Sequence, residues 1–174
     1  MLKAVAEWTG NFSQPIYNVS KASVPYGINM GRINTDEAIL TLQTVQQYIE
    51  KIGRERTLDK RIDFAIISPY RAQTQYLRGL IKRTAFFKPF RNLITVNTVD
   101  GFQGGEKDVV VISMVRSNEQ GHIGFLHDLR RMNVAMTRAR MKLIVIDDSN
   151  TLARHPFYKQ LYEYIQKLQD KTEI

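Results

Sequence analysis

Four short apolar runs constrain this chain more than any other feature: Phe64 to Ile67, Leu93 to Val96, Val109 to Val115 and Leu143 to Ile146. They are continuous rather than alternating, the pattern of strands buried on both faces of a parallel sheet that helices cover. Helical patterns lie between and around them. Asn34 and Glu37 have capping-box spacing, and Ile39, Leu42, Val45, Ile49 and Ile52 then recur at three and four. Further helices are predicted over roughly 72–82, over 128–140, and over 157–168 with Pro156 at the first helical position. Strands alternating with helices imply an open α/β sheet with helices on both faces. Ligands of such sheets sit at the carboxyl ends of the strands, which singles out the loops after Ile67, Val96 and Val115.

A chain of 174 residues accommodates one such domain. Residues 1–30 are the least patterned, with Gly10, Pro15, Pro25 and Gly27 scattered among polar residues, and are expected to be irregular, the tail of a preceding region. The domain proper is expected over 31–174. No apolar run approaches the roughly 18–20 residues of a membrane span, so no membrane association is expected. The lack of cysteine removes disulfides, Cys-ligated zinc and thiol catalysis, and leans toward a cytoplasmic setting. His122, His127 and His155 lack ligand-like spacing, and no metal site is expected. The 25 Lys and Arg exceed the 17 Asp and Glu, which favours polyanionic partners.

Two segments carry candidate chemistry. In Thr98 to Glu106, glycines at 101, 104 and 105 permit a sharp turn or close approach to a ligand, while Gln103 and Glu106 offer an amide and a carboxylate suited to a ribose hydroxyl or a water. A plain glycine-rich turn between strands accounts for the same residues. In Arg130 to Arg140, a helix would set Leu129, Met132, Met136 and Ala139 on the core side, with Arg131 and Arg138 on the opposite face. Such a helix is either a solvated basic surface or a mount for an arginine finger, since guanidinium stays charged and forks onto phosphate oxygens. Lys82 to Arg91 interleaves cations with phenylalanines; it could stack bases, but anchoring of the connection to the core is favoured.

In order along the chain, Asn34-x-x-Glu-Ala38, Ser68-Pro-Tyr-Arg-Ala-Gln73, Thr98 to Glu106, Ser113-x-x-Arg-Ser117, Gly124-Phe-Leu126 and Asp128 to Arg140 resemble the motifs of superfamily 1 helicases. The match is to motifs IV, V and VI of the branch that contains the nonsense-mediated-decay helicase, and it runs from about Gly31 to Asp148. Members of that family have two RecA-like domains with ATP and Mg2+ bound between them, the phosphate loop and acidic pair residing in the first. This sequence has no Gly-x-x-x-x-Gly-Lys-[Ser/Thr], so it resembles the second, C-terminal domain, a P-loop-NTPase-type fold without the P-loop.

The resemblance implies an ATP-dependent helicase or translocase on single-stranded DNA or RNA, moving 5′ to 3′, with the first RecA-like domain in cis and the present part inactive alone. By the same analogy Arg138 is the arginine finger and Arg71 a second phosphate-sensing arginine. Glu106 hydrogen-bonds the ribose, Gln103 and Gly104 line the cleft, Thr98 and Ser68 contact the nucleic-acid backbone, and Arg131 with Asn133 steadies the motif VI helix. Arg130 and Arg140 are read as solvated or paired on the surface, and Asn34 and Glu37 as a helix cap. Asp147 departs from the family, which usually has a glycine before a single Asp at that point. The alternative function is a non-catalytic nucleic-acid- or protein-binding module that keeps the fold.

Overall fold

The structure is a computed structural model that describes residues 5–8, 31–102 and 105–170, with 5–8 and 168–170 described as backbone only. Its centre is a parallel sheet of five strands: β1 (Val5–Trp8), β2 (Phe64–Ser68), β3 (Ile94–Thr98), β4 (Lys107–Ser113) and β5 (Ala139–Ile146), in the order β1-β5-β4-β2-β3. The expected α/β sheet is present, and each predicted apolar run lies in or against one of these strands. Strand β1 falls in the stretch expected to be irregular; it pairs with β5 from Val5 opposite Lys142 to Trp8 opposite Val145, its short sequence carrying no strand pattern of its own.

Period-two geometry splits each apolar run between the two faces. Phe64, Ile66, Val109, Val111, Ile144 and Ile146 face one way, packed under α1 (Thr35–Ile52) and α3 (Arg71–Arg83) through Leu42, Val45, Ile49, Leu77 and Ile81. Ala65, Ile67, Val110, Ile112, Leu143 and Val145 face the other way, under α4 (Leu129–Met136) and α6 (Pro156–Asp170), where Met132, Ala135, Tyr158 and Ile165 meet them. A short α2 (Arg54–Asp59) follows α1, and α5 (Ser149–Leu152) precedes α6.

Lys82 to Arg91 is largely a 3-10 segment (Ala85–Leu93) that buries Phe87 and Phe90. Phe86 stacks on Phe90 at 5.6 Å, and the guanidinium of Arg54 lies 4.9 Å from the Phe86 ring centre. The phenylalanines therefore anchor the crossover to the core, as favoured.

The predicted helix over 128–140 stops at Met136. Thr137 closes it, and Ala139 already belongs to β5, opposite Lys107. Arg131 and Arg138 consequently share no helical face: the sheet claims the chain at the point where helical periodicity would have continued, because the edge of β4 offers hydrogen bonds that one more turn could not. Ala139 is buried, but as a strand residue.

Candidate nucleotide and nucleic-acid surfaces

The sequence-predicted residues divide between the two ends of the sheet. At the amino ends of β4 and β5, Glu106 and Arg138 are neighbours across one ladder step, with the Lys107 N–H donating to the Arg138 carbonyl at 2.8 Å. Glu106 is exposed and Arg138 half-buried, and the Arg138 Nε is enclosed with no hydrogen-bond partner. The other cations here are committed. Lys107 Nζ lies 3.0 Å from Asp63, and Arg140 bridges Asp63 at 3.3 Å and Asp108 at 3.0 Å. The two aspartates also accept from each other's backbone N–H, Asp108 N to Asp63 at 2.8 Å and Asp63 N to Asp108 at 3.1 Å. These hydrogen bonds, with Lys107 and Arg140 beside them, hold the Asp63 carboxyl below its ordinary value against the opposing effect of burial. The β4–β5 register shifts beside Arg140, between Lys107 and Val109. Arg140 is thus paired on the surface as expected, and among the described residues Arg138 makes no ion pair.

Arg131 sits at 3.2 Å from both Asp100 and Asp128, tying the start of α4 to the turn after β3. That is the steadying role expected of it. Asn133 is exposed and contributes its carbonyl to Thr137 N. Gln103 and Gly104 lie outside the described residues.

At the carboxyl ends, Ser68 of β2 pairs in register with Thr98 of β3. Thr98 is half-exposed, and its Oγ accepts from Gly101 N at 3.1 Å, leaving the hydroxyl proton to donate outward. Ser68 is fully buried and accepts from Tyr70 N at 3.4 Å, a bond that shapes the Ser68-Pro69-Tyr70 turn. Arg71 is exposed at the first position of α3, beyond the end of β2. The levels of Lys107 and Ser113 are six residues apart along β4, roughly 20 Å at strand rise. The structure therefore does not bring Arg71 together with Arg138; parallel strands put a residue that follows a strand and one that precedes a strand at opposite edges.

Between β2 and β5 the carboxyl edge holds a buried polar cluster that sequence reasoning missed. Asn34 caps α1 by accepting from Glu37 N at 3.0 Å, as the spacing predicts. The Glu37 side chain does not return to the cap. Its Oε1 accepts from Ser113 Oγ at 2.5 Å and from Val115 N at 2.8 Å, while Asn34 Nδ2 donates to the Val115 carbonyl at 3.3 Å. Gln73 occupies the cap instead, its Oε1 accepting from Asn34 N at 3.0 Å. The N-terminus of α1 thus clamps the chain where it leaves β4. Val115 there has φ +71°, a conformation β-branched residues rarely adopt. Burial, chiefly, raises the Glu37 carboxyl to about 7. Asp147, one residue past β5, is fully buried with both carboxylate oxygens unpartnered; burial first, then Glu37 and Asp148, push it well above the ordinary range.

Comparison with known proteins now fits this geometry. Residues 8–150 match the model of a family described as an AAA domain. The chain belongs to that family. Its relatives are helicases of superfamily 1, and the fold described above is the RecA-like domain of that group. A probable helicase of Arabidopsis thaliana, MAGATAMA 3, is 38% identical over 143 residues, 82% of this chain and 17% of that protein. An uncharacterized ATP-dependent helicase of Methanocaldococcus jannaschii is 38% identical over 138 residues, 79% of this chain and 18% of its own length. A regulator of nonsense transcripts 1 homolog of Neurospora crassa is 43% identical over 104 residues, 59% and 9% of the two lengths. The helicase domain described here thus spans less than a fifth of each of these relatives. No helix among its described residues is long and apolar enough to cross a membrane.

Proposed function

We propose that this chain is the second, C-terminal RecA-like domain, residues 31–174, of an ATP-dependent helicase or translocase that moves along single-stranded nucleic acid. The observation that carries the reading is the Glu106–Arg138 juxtaposition at one sheet edge, where Arg138 is the cation without an ion pair among the described residues while Lys107 and Arg140 are held by Asp63 and Asp108. A guanidinium whose Nε is desolvated and unpaired gains most when an anion arrives. Glu106, exposed beside it, accepts a ribose hydroxyl; Gln103 and Gly104, outside the described residues, are assigned to nucleotide contact from their motif alone.

ATP with Mg2+, held mainly by the first RecA-like domain in cis, supplies the phosphoanhydride that is cleaved. Arg138 donates to the oxygens of the transferred phosphoryl group and stabilises their charge in the transition state. Thr98 donates to the backbone of a single strand, DNA or RNA, at the opposite edge. Arg71, on that same edge, is assigned to strand contact rather than to phosphate sensing. The domain alone lacks a phosphate cradle and is inactive.

Replacing Arg138 by Ala in the full-length protein lowers ATP turnover by about 10³-fold or more, with single-strand affinity within a few fold of wild type. Steady-state ATPase assays and oligonucleotide titrations measure both; ATPase activity within tenfold of wild type refutes the finger assignment. The alternative, a non-catalytic module, predicts no ATPase in the full-length protein at all.

A further inference from the structure

Behind the strained turn at Val115, the carboxyl edge opens into a pocket of about 630 Å³. This is the size range of sites for small organic ligands. Arg32, Tyr70, Arg116, His122, Phe125 and His127 line it, together with Gly121, Ile123 and Gly124, and none of the lining residues is acidic.

Three features show that the pocket is built rather than incidental. Val115 takes its left-handed conformation under the Glu37 and Asn34 clamp, and the next residue, Arg116, is sent into the pocket with its Nε donating to the His122 carbonyl at 2.7 Å. Such strain persists only where the surroundings impose it, and it gathers at ligand sites. Arg116 is held almost entirely out of solvent; burial, with Arg32 adding repulsion, lowers its affinity for its proton. Finally, Gly124 has φ +57°, and a side chain there would press on Tyr70 Oη at 3.0 Å and come into ordinary contact with the Arg116 guanidinium at 3.7 Å. Glycine keeps the floor open. Phe125, 63% exposed, packs edge-on against Tyr70 at 5.9 Å in the pocket that Arg32 and Arg116 also line.

From this juxtaposition we infer that the pocket seats one nucleotide of the bound single strand, with its phosphate on Arg32 and Arg116 and its base stacked on Phe125. An aromatic face beside guanidiniums is the chemistry that holds single-stranded nucleic acid without reading its sequence. The pocket adjoins the Ser68–Thr98 level, because Tyr70 lies two residues beyond Ser68. The inference rests on the single-strand reading above and adds to it a base contact, where Thr98 provides a backbone contact alone.

The test uses the 174-residue chain at low salt with fluorescein-labelled dT12, rU12 and an abasic 12-mer, read by anisotropy. Phe125→Ala weakens dT12 and rU12 about tenfold and leaves the abasic affinity and the salt dependence unchanged. Arg32→Gln weakens all three and reduces the slope of log affinity against log salt by about one. Thr98→Ala separates the two readings: loss of affinity in Thr98→Ala with Phe125→Ala and Arg32→Gln within twofold of wild type overturns the pocket and keeps the strand contact. No binding of any oligonucleotide by the wild-type chain overturns both. If the two pocket variants lose inorganic phosphate, followed by NMR, but keep oligonucleotide affinity, the pocket is a free-phosphate site and the inference fails.

Discussion

Asp147 and Glu37 show how a few residues can set a local electrostatic problem. Two carboxyls buried near one another cannot both ionise cheaply, and among the described residues neither forms an ion pair that would offset the loss of water. The folded state therefore holds a proton on Glu37 between its ordinary value of 4.5 and about 7. Because the folded value is the higher one, this contribution to stability is complete below pH 4.5 and is lost as pH rises through 7. The unfolding free energy from urea titrations should accordingly fall between pH 5 and 8, by an amount on the order of 2–3 kcal/mol. Asp147→Asn keeps the shape and removes a charge the site resists, so it should raise Tm by a few degrees at pH 8 and by less at pH 5. Equal gains at the two pH values would mean that the Asp147 carboxyl is not raised in the folded state. None of this was legible in the sequence, where Asn34 and Glu37 read as a capping box and Asp147 as an unexplained departure. A capping box is a local pattern, whereas the partner Glu37 selects, Ser113, lies 76 residues away.

At the level of elements, strands and helices were predictable wherever local pattern and tertiary demand agree. The apolar runs became β2 to β5 because each must bury both faces, and the α1 stripe meets the sheet cluster through Leu42, Val45, Ile49 and Ile52, while Ile39, expected on that stripe, is exposed. The run from Asp128 to Arg140 shows the other outcome, since helical spacing continues there while β-ladder pairing at Lys107 and Ala139 ends the helix early. The 3-10 crossover, ambiguous in sequence between a base-stacking stretch and an anchor, is decided by what its rings touch. Phe90→Ala should cost about 3–5 kcal/mol in chemical denaturation, while exposed Lys88→Ala changes stability by less than about 0.5 kcal/mol. Near-neutral behaviour of Phe90→Ala would remove the anchor role.

For the molecule as a whole, the two ends of one sheet carry separate proposed tasks, nucleotide at the amino ends of β4 and β5 and single strand at the carboxyl ends of β2 to β4. Between them lie the two apolar clusters that pack the opposite faces of the sheet. The isolated chain should show no ATP turnover above background in a phosphate-release assay, and measurable turnover would reveal a catalytic site beyond Glu106 and Arg138. By itself the sequence determined the fold class, the family and the kinds of side chain each motif offers, because apolar periodicity and motif spacing are written locally. Only the tertiary structure decided which of those side chains meet. It set Arg138 beside Glu106, sent Arg71 to the far edge, buried Ser68 and turned Arg116 into a pocket with Tyr70 and Phe125. Strand direction and long-range packing fix such encounters, and neither is visible in the spacing of residues along the chain.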